Sequence, residues 1–175
     1  MRVEEAITSR SSTRGYTKEE VKEEDLQKIL EAGLKAPTAV NRQEIHFTVV
    51  KGNDPALKKL DEEKNRLRGQ SNLPHNFYYE APVLILLSAD KSFHWNEVDA
   101  GIAVENMSLT AEELGLGSLI IGSVYDVFRG ENREEFERLF AFPEGYEYEI
   151  ALAVGYKAVE KEPHTYEQER RVTFL

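Results

Sequence analysis

Hydrophobic residues along this chain recur in two different periods, and the alternation between them outlines the fold. Val3–Ser9 reads as a short helix. Thr17 and Glu20 stand at capping-box spacing ahead of Leu26, Ile29, Leu30 and Leu34, an apolar series with helical period. That helix should end near Pro37, because the residue before a proline avoids helical dihedrals. Residues 45–51, with Phe47, Val49 and Val50, predict a strand. Asn53 or Asp54 ahead of Pro55 marks the next helix start, with Leu57, Leu60 and Leu67 on its buried side. Residues 69–80 are irregular and rich in aromatics, and 82–89 form a continuous apolar run that reads as a buried strand. Residues 98–114 carry the clearest helical pattern, through Ile102, Ala103, Met107, Thr110, Ala111 and Leu114, with Gly115 as its C-terminal cap. A strand over 118–124, a helix over 132–140 and a last strand over 148–155 complete the series, followed by a polar tail.

Strands separated by crossover-length helices predict an α+β or α/β sheet flanked by helices. The length of 175 residues, with no repeat, low-complexity tract or flexible linker, suits a single domain over 1–175. The absence of cysteine excludes disulfides, thiolate metal sites, cysteine-ligated clusters and thiol nucleophiles. Histidines at 46, 75, 94 and 164 lack any paired ligand spacing, so no metal site is expected. The N-terminal segment lacks the apolar run of a signal peptide, and no stretch is long enough to span a bilayer, which predicts a soluble cytoplasmic protein. A formal charge of −10 opposes nucleic acid and anionic membrane as partners, so a phosphate ligand would require a local concentration of cations.

Such a concentration stands at Arg10-Ser11-Ser12-Thr13-Arg14, two guanidiniums and three hydroxyls within five residues. Arginine forks match phosphate oxygens and hydroxyls fill the remaining acceptor sites, although a solvated loop paired with Glu4 or Glu5 would look the same locally. Pro37, Thr38, Ala39, Asn41 and Gln43 lie in a compact polar turn whose amides suit the mixed edge of a heterocycle, or simply terminate a helix. Gly115 and Gly117 fail the dinucleotide-loop pattern, because a helix precedes them and no third glycine follows at the right spacing. Gly122, after Ile120-Ile121, would let strand-end amides approach a flat ligand. No nucleophile elbow or phosphate-binding P-loop occurs.

Taken in order, three segments resemble the signatures of the nitroreductase family: residues 7–16, residues 36–43 and residues 114–122. The closing strand 150–156 and the basic pair Arg170-Arg171 extend the resemblance over nearly the whole chain. The resemblance implies an α+β homodimer with a mixed central sheet, flanked by helices, and FMN at the subunit interface. It implies that Arg10, Ser11, Ser12 and Arg14 hold the FMN phosphate, ribityl chain and the N1/O2 side of the ring. Pro37, Thr38, Ala39, Asn41 and Gln43 would come from the other subunit, and the Ile121 and Gly122 backbone would meet flavin N5 and O4. Arg170 or Arg171 would return to the phosphate. The implied activity is hydride transfer from NADH or NADPH to flavin, then electron transfer to a nitroaromatic, quinone or similar acceptor. No protein side chain need act as catalytic acid or base, since flavin carries the chemistry. A non-catalytic FMN-binding or flavin-storage protein is the alternative. Three departures stand out: Glu44-Ile45-His46 replaces the family's usual proline and aromatic after Gln43, Ser11 stands where the family often has Arg or His, and no lysine stands near Phe77-Tyr78-Tyr79-Glu80, ahead of the second strand.

Overall fold

The computed structural model describes residues 2–162, 165 and 171–175. Its elements in chain order are α1 (Val3–Ser9), α2 (Glu23–Leu34), β1 (His46–Lys51), α3 (Pro55–Leu67), β2 (Val83–Asp90), α4 (Asn96–Glu113), β3 (Gly117–Ile121), α5 (Arg133–Leu139) and β4 (Tyr146–Gly155). The four strands form one sheet in the order β1-β2-β4-β3, each neighbouring pair antiparallel. The parallel component expected of a mixed sheet is confined, among the described residues, to an isolated bridge between Ser12 and Ser118.

β2 is apolar without interruption because it is covered on both faces. Leu84 and Leu86 face a core rich in aromatics, with Phe128, Phe136, Phe140 and Tyr148, while Ile85 and Leu87 face α4 and α2 through Ala103, Met107, Ala111 and Ile29. The Tyr148 ring stacks on Phe128 at 4.6 Å between centroids. The register of β2 on β4 slips between Leu87, opposite Ile150, and Ser88, opposite Tyr148, so Glu149 is the extra residue of a β-bulge.

Most predicted elements form, with boundaries shifted by a few residues. Asp54 caps α3 by accepting the Ala56 amide at 2.8 Å, and Pro55 takes the first helical position, where its missing N–H costs nothing. The Thr17/Glu20 capping box does not form. α2 starts six residues later, after Lys22, and the Thr17 hydroxyl instead accepts the Glu19 amide at 3.3 Å in a local turn. Leu67 and Ile102, expected on buried faces, are each more than a third exposed. Gly115 does cap α4, at φ 77°. Gly117 has a different role, because a Cβ there would lie 2.6 Å from the Thr13 hydroxyl oxygen, so its lack of a side chain lets the N-terminal segment lie against β3. No described helix is long and apolar enough to cross a membrane.

Candidate functional site

The close approach at Gly117 builds the first part of the site. α1 ends at Ser9, and the chain continues extended past β3, where the Thr13 amide donates to the Ser118 carbonyl at 2.9 Å. Further on, Thr17 donates to the Tyr156 carbonyl and Ala158 donates to the Gly15 carbonyl, both at 2.9 Å. Residues 10–17 are thereby tied to β3 at one point and to the chain just past β4 at two. Alternation sends Thr13 inward, where it is buried, and turns Ser12 and Arg14 to the other side, while Ser11, nearer the end of α1, is half-buried. The Ser11 and Ser12 hydroxyls make no hydrogen bond with any described residue. Arg10 meets Glu105 of α4 through a long ion pair of 3.5 Å. Arg14 has no carboxylate within ion-pair distance among the described residues, and its guanidinium lies 6.0 Å from the Tyr79 ring centre.

Arg14 opens into a cavity of about 370 Å³, whose opposite wall is the end of β3, Leu119 to Gly122, with Ser123. The cavity is completed by Lys64 of α3, by Arg68 just past its end and by the loop carrying His75, Asn76, Phe77 and Tyr79. α3 fastens that loop, because Asp61 accepts the Phe77 amide at 3.0 Å while also meeting Lys64 at 3.4 Å. The end of β3 is held from beneath: the fully buried Tyr148 hydroxyl donates to the Ile121 carbonyl at 2.6 Å. A trans peptide directs C=O and N–H to opposite sides, so this bond fixes the orientation of the Gly122 amide. Burial, with Glu149's charge adding to it, pushes the Tyr148 hydroxyl far above the usual phenol range, so it remains a donor at any ordinary pH.

The second predicted segment lies elsewhere. Pro37, Thr38, Ala39, Asn41 and Gln43 line no part of this cavity. They form a loop with a short 3-10 turn over Ala39–Asn41, in which Val40, Asn41 and Gln43 all take left-handed dihedrals, at φ 51°, 56° and 53°. Such backbone is costly for a β-branched residue and persists only where neighbours impose it. The neighbours are identifiable. The Ala39 amide donates to both carboxylate oxygens of Asp99 in α4, at 3.1 and 2.9 Å, and the Gln43 amide donates to the Thr38 hydroxyl at 2.9 Å. Arg42 pairs with Asp90 at 2.6 Å while lying 4.5 Å over the Phe93 ring.

Glu44, the residue in place of the family's proline, is buried, and neither of its carboxyl oxygens has a hydrogen-bond partner among the described residues. Burial first, and then the nearby Asp99 charge, raises its pKa above the ordinary carboxylate range. Glu149 is buried too, beside the start of α4. It accepts from the Asn96 side chain at 2.9 Å, at the start of α4, and burial reinforced by Glu97 pushes it up to about 7 against the opposing charge of Arg129.

Of the aromatics around β2, Tyr79 lines the cavity, Tyr78 is buried in the core, Phe93 lies beneath Arg42 and Trp95 is half exposed. Arg171 is exposed, and Arg170 lies outside the described residues. Among the described residues no histidine or carboxylate cluster is arranged to hold a metal. Sequence reasoning missed Lys64, Arg68, Asp99 and Tyr148. Lys64 did carry a signal, since 57, 60 and 64 share one face of a helix and a lysine there is out of pattern. The other three are met only through contacts between distant segments.

An antiparallel sheet sandwiched by helices, with an arginine-serine segment laid beside β3 and a cation-rich cavity at its end, defines an α+β protein whose positive charge is gathered at one end of its sheet. The chain belongs to the nitroreductase family, whose model matches residues 7–156. It is 36% identical over 165 residues to a protein of Methanothermobacter thermautotrophicus that bears the name NADH dehydrogenase/NAD(P)H nitroreductase, covering 90% of this chain and 78% of that one. It is 32% identical over 176 residues to the FMN reductase [NAD(P)H] of Bacillus subtilis, covering 87% of this chain and 65% of that protein. The fold matches the crystal structure of a nitroreductase with bound FMN from Bacteroides fragilis at a TM-score of 0.89 and 29% identity, covering 100% of this chain and 99% of that one.

Proposed function

We propose that this chain is an FMN-dependent NAD(P)H oxidoreductase, a single-domain cytoplasmic homodimer that reduces nitroaromatics, quinones or similar acceptors in a ping-pong cycle. The observation that carries this reading is the convergence of Arg14 with the Ile121–Gly122 backbone around one cationic cavity. The donor set fits FMN: Arg10 is held only by a long ion pair, Arg14 lacks a carboxylate partner, and two serine hydroxyls stand unengaged among the described residues. FMN, when bound, accepts hydride from NADH or NADPH and passes the electrons to the acceptor.

The protein's own residues supply binding and electrostatics. Arg10, Ser11 and Ser12 neutralise and hydrogen-bond the phosphate and ribityl chain. Arg14 stabilises the negative charge that reduction places on the N1/O2 side of the ring. The Tyr148 hydroxyl holds the Ile121–Gly122 peptide in the orientation that the ring edge meets. Pro37, Thr38, Ala39, Asn41 and Gln43 act from a second copy, in keeping with their absence from this copy's cavity lining. The outer side of α4 supports such a copy: Val98 and Ile102 are exposed, and space is open where Gly101 lacks a Cβ. A helix apolar on both sides is ordinarily buried on both. Arg170 or Arg171 adds a further cation at the phosphate.

The test is an anaerobic visible spectrum of FMN-supplemented protein before and after NADH, then NADPH. Bound flavin that bleaches with either donor is the expected result. Flavin that stays oxidised with both overturns the catalytic part, and colourless protein overturns the reading altogether.

A further inference from the structure

Segment 38–43 is closed at both ends upon one carboxyl group. Near its start the Ala39 amide donates to both oxygens of Asp99, and its last residue is followed at once by Glu44, whose carboxyl lies beside the same Asp99. Both acids are buried, Glu44 at 7% and Asp99 at 2% exposure, and neither Glu44 oxygen has a hydrogen-bond partner among the described residues. Between these two anchors Val40, Asn41 and Gln43 take left-handed dihedrals, so whatever secures the anchors also maintains the strain.

Two carboxylates side by side and away from water repel, whereas one proton held between them makes a charge-assisted hydrogen bond. With the proton on Glu44, its unpartnered carboxyl becomes a donor to Asp99, and Asp99 keeps acceptor capacity for the Ala39 amide. Burial first, and then Asp99, hold Glu44 above its ordinary value of 4.5. Among the described residues the other charge acting on it is Arg42, two positions earlier, which opposes the rise. That guanidinium is engaged by Asp90 at the end of β2, at 2.6 Å, and lies over the Phe93 ring. Glu149 meets Asn96, nearly a turn before Asp99 on α4, and is not among the charges acting on Glu44.

We propose that Glu44 is a positioning residue for the flavin site: it shares one proton with Asp99, and that proton locks segment 38–43 in the form in which a second copy's FMN meets it, which presupposes the dimeric flavin site proposed above. Loss of the proton sets two buried carboxylates against each other at the end of the segment, and strained backbone that needs both anchors gives way. The ordered segment holds one more proton than the loosened one, so FMN affinity falls as pH rises above the ordinary carboxylate range.

The test is a fluorescence titration of FMN from about pH 5 to about pH 8.5, on the wild-type chain and on Glu44→Gln, whose amide donates to Asp99 with no proton to lose. The FMN phosphate itself titrates at about 6, so the quantity read is the ratio of the two affinities at each pH. The two chains should agree within about twofold at the acid end, and the wild type should bind about tenfold more weakly at the alkaline end. A second reading needs no flavin. Trp95 is the chain's one tryptophan, and its carbonyl accepts the Asp99 amide at 2.9 Å, so its emission in flavin-free protein should shift over the same interval. The His94 ring lies 5.2 Å from Trp95, so only the part of the shift that Glu44→Gln abolishes is assigned to Glu44. Asp99→Asn, which supplies the donor from the other side, should flatten both profiles and serves if Glu44→Gln does not fold. In protein that binds FMN, an affinity ratio constant with pH overturns this inference alone. Protein that takes up no FMN at any pH overturns the flavin reading and the role of Glu44 at that site. A Trp95 shift that survives Glu44→Gln unchanged overturns the shared proton itself.

Discussion

The segments 10–14 and 38–43 carry the same kinds of polar group and are held in opposite ways. The first runs extended beside β3, secured by backbone bonds to Ser118 and the end of β4, with Thr13 buried beneath it. Its functional groups are displayed by ordinary strand geometry, and the cost of ordering them is met by the sheet. The second leaves helical and strand geometry altogether, taking three left-handed residues and exposing Val40 to 89%. It is held from behind by a relay of carboxyl groups: Glu149 holds Asn96 at the start of α4, and Asp99 one turn later holds Ala39. In the dimer proposed above, a segment kept in strained backbone with its tip exposed would be preorganised for a neighbour's surface, whereas the first would serve its own subunit.

The largest expected effect tests the first segment. Arg10→Ala should weaken FMN binding by about 1.5–3 kcal/mol, the cost of losing a charged hydrogen-bond partner, while flavin-saturated protein keeps most of its turnover. Fluorescence titration of FMN reads the affinity, and an unchanged dissociation constant would remove the phosphate assignment.

Next comes the relay behind the second segment. A folded-state pKa of about 7 for Glu149 means that the native protein holds a proton which the unfolded chain releases near its ordinary value of 4.5. Stability should therefore fall as pH rises from about 4.5 to about 7, by about 3 kcal/mol, and level off above. Glu44, raised in the same direction, adds to this slope. Denaturant unfolding across that range should show the fall, and Glu149→Gln should flatten most of it. A slope that survives the substitution assigns the titration to other groups.

Asp99→Ala removes both acceptors of the Ala39 amide and should cost about 1 kcal/mol, comparable to losing a helix cap. If segment 38–43 acts across an interface, the same variant should weaken dimerisation and FMN uptake more than it lowers global stability. Sedimentation alongside unfolding separates the two. An effect on unfolding alone would make the loop structural only.

The smallest effect is at Val40. A β-branched residue at φ 51° is strained, so Val40→Gly should leave the isolated subunit slightly more stable, by about 0.5 kcal/mol after the entropy cost of glycine. The dimer, if Val40 packs against a second copy, should become weaker. A change of the same sign in both would mean that the loop faces solvent.

Much of this was legible in the chain. Helical period, the Asp54-Pro55 start and the unbroken apolar run of β2 located the elements, because local backbone preference and face burial act over a few residues. The cluster at 10–14 was visible as composition, and it stood out because the chain is acidic. The false capping box at Thr17 illustrates the limit of local reading: a spacing that suits a helix start yielded to the longer-range pull of Tyr156, to which the Thr17 amide is bonded. Glu44 was visible as a departure from the family pattern, but not as a buried carboxyl beside Asp99, which lies on another element.

What the sequence determined by itself is therefore the set of elements, the family and the residues able to neutralise a phosphate, all properties of neighbours along the chain. Only tertiary structure decided which cations share a wall. Arg14, Lys64 and Arg68 come from a strand-like segment and a helix far from it in sequence, and Tyr148 meets Ile121 only because β4 lies beside β3. Electrostatic and hydrogen-bonding effects depend on separation in space, and folding sets that separation through burial of the two apolar faces of the sheet rather than through any local preference of these polar residues.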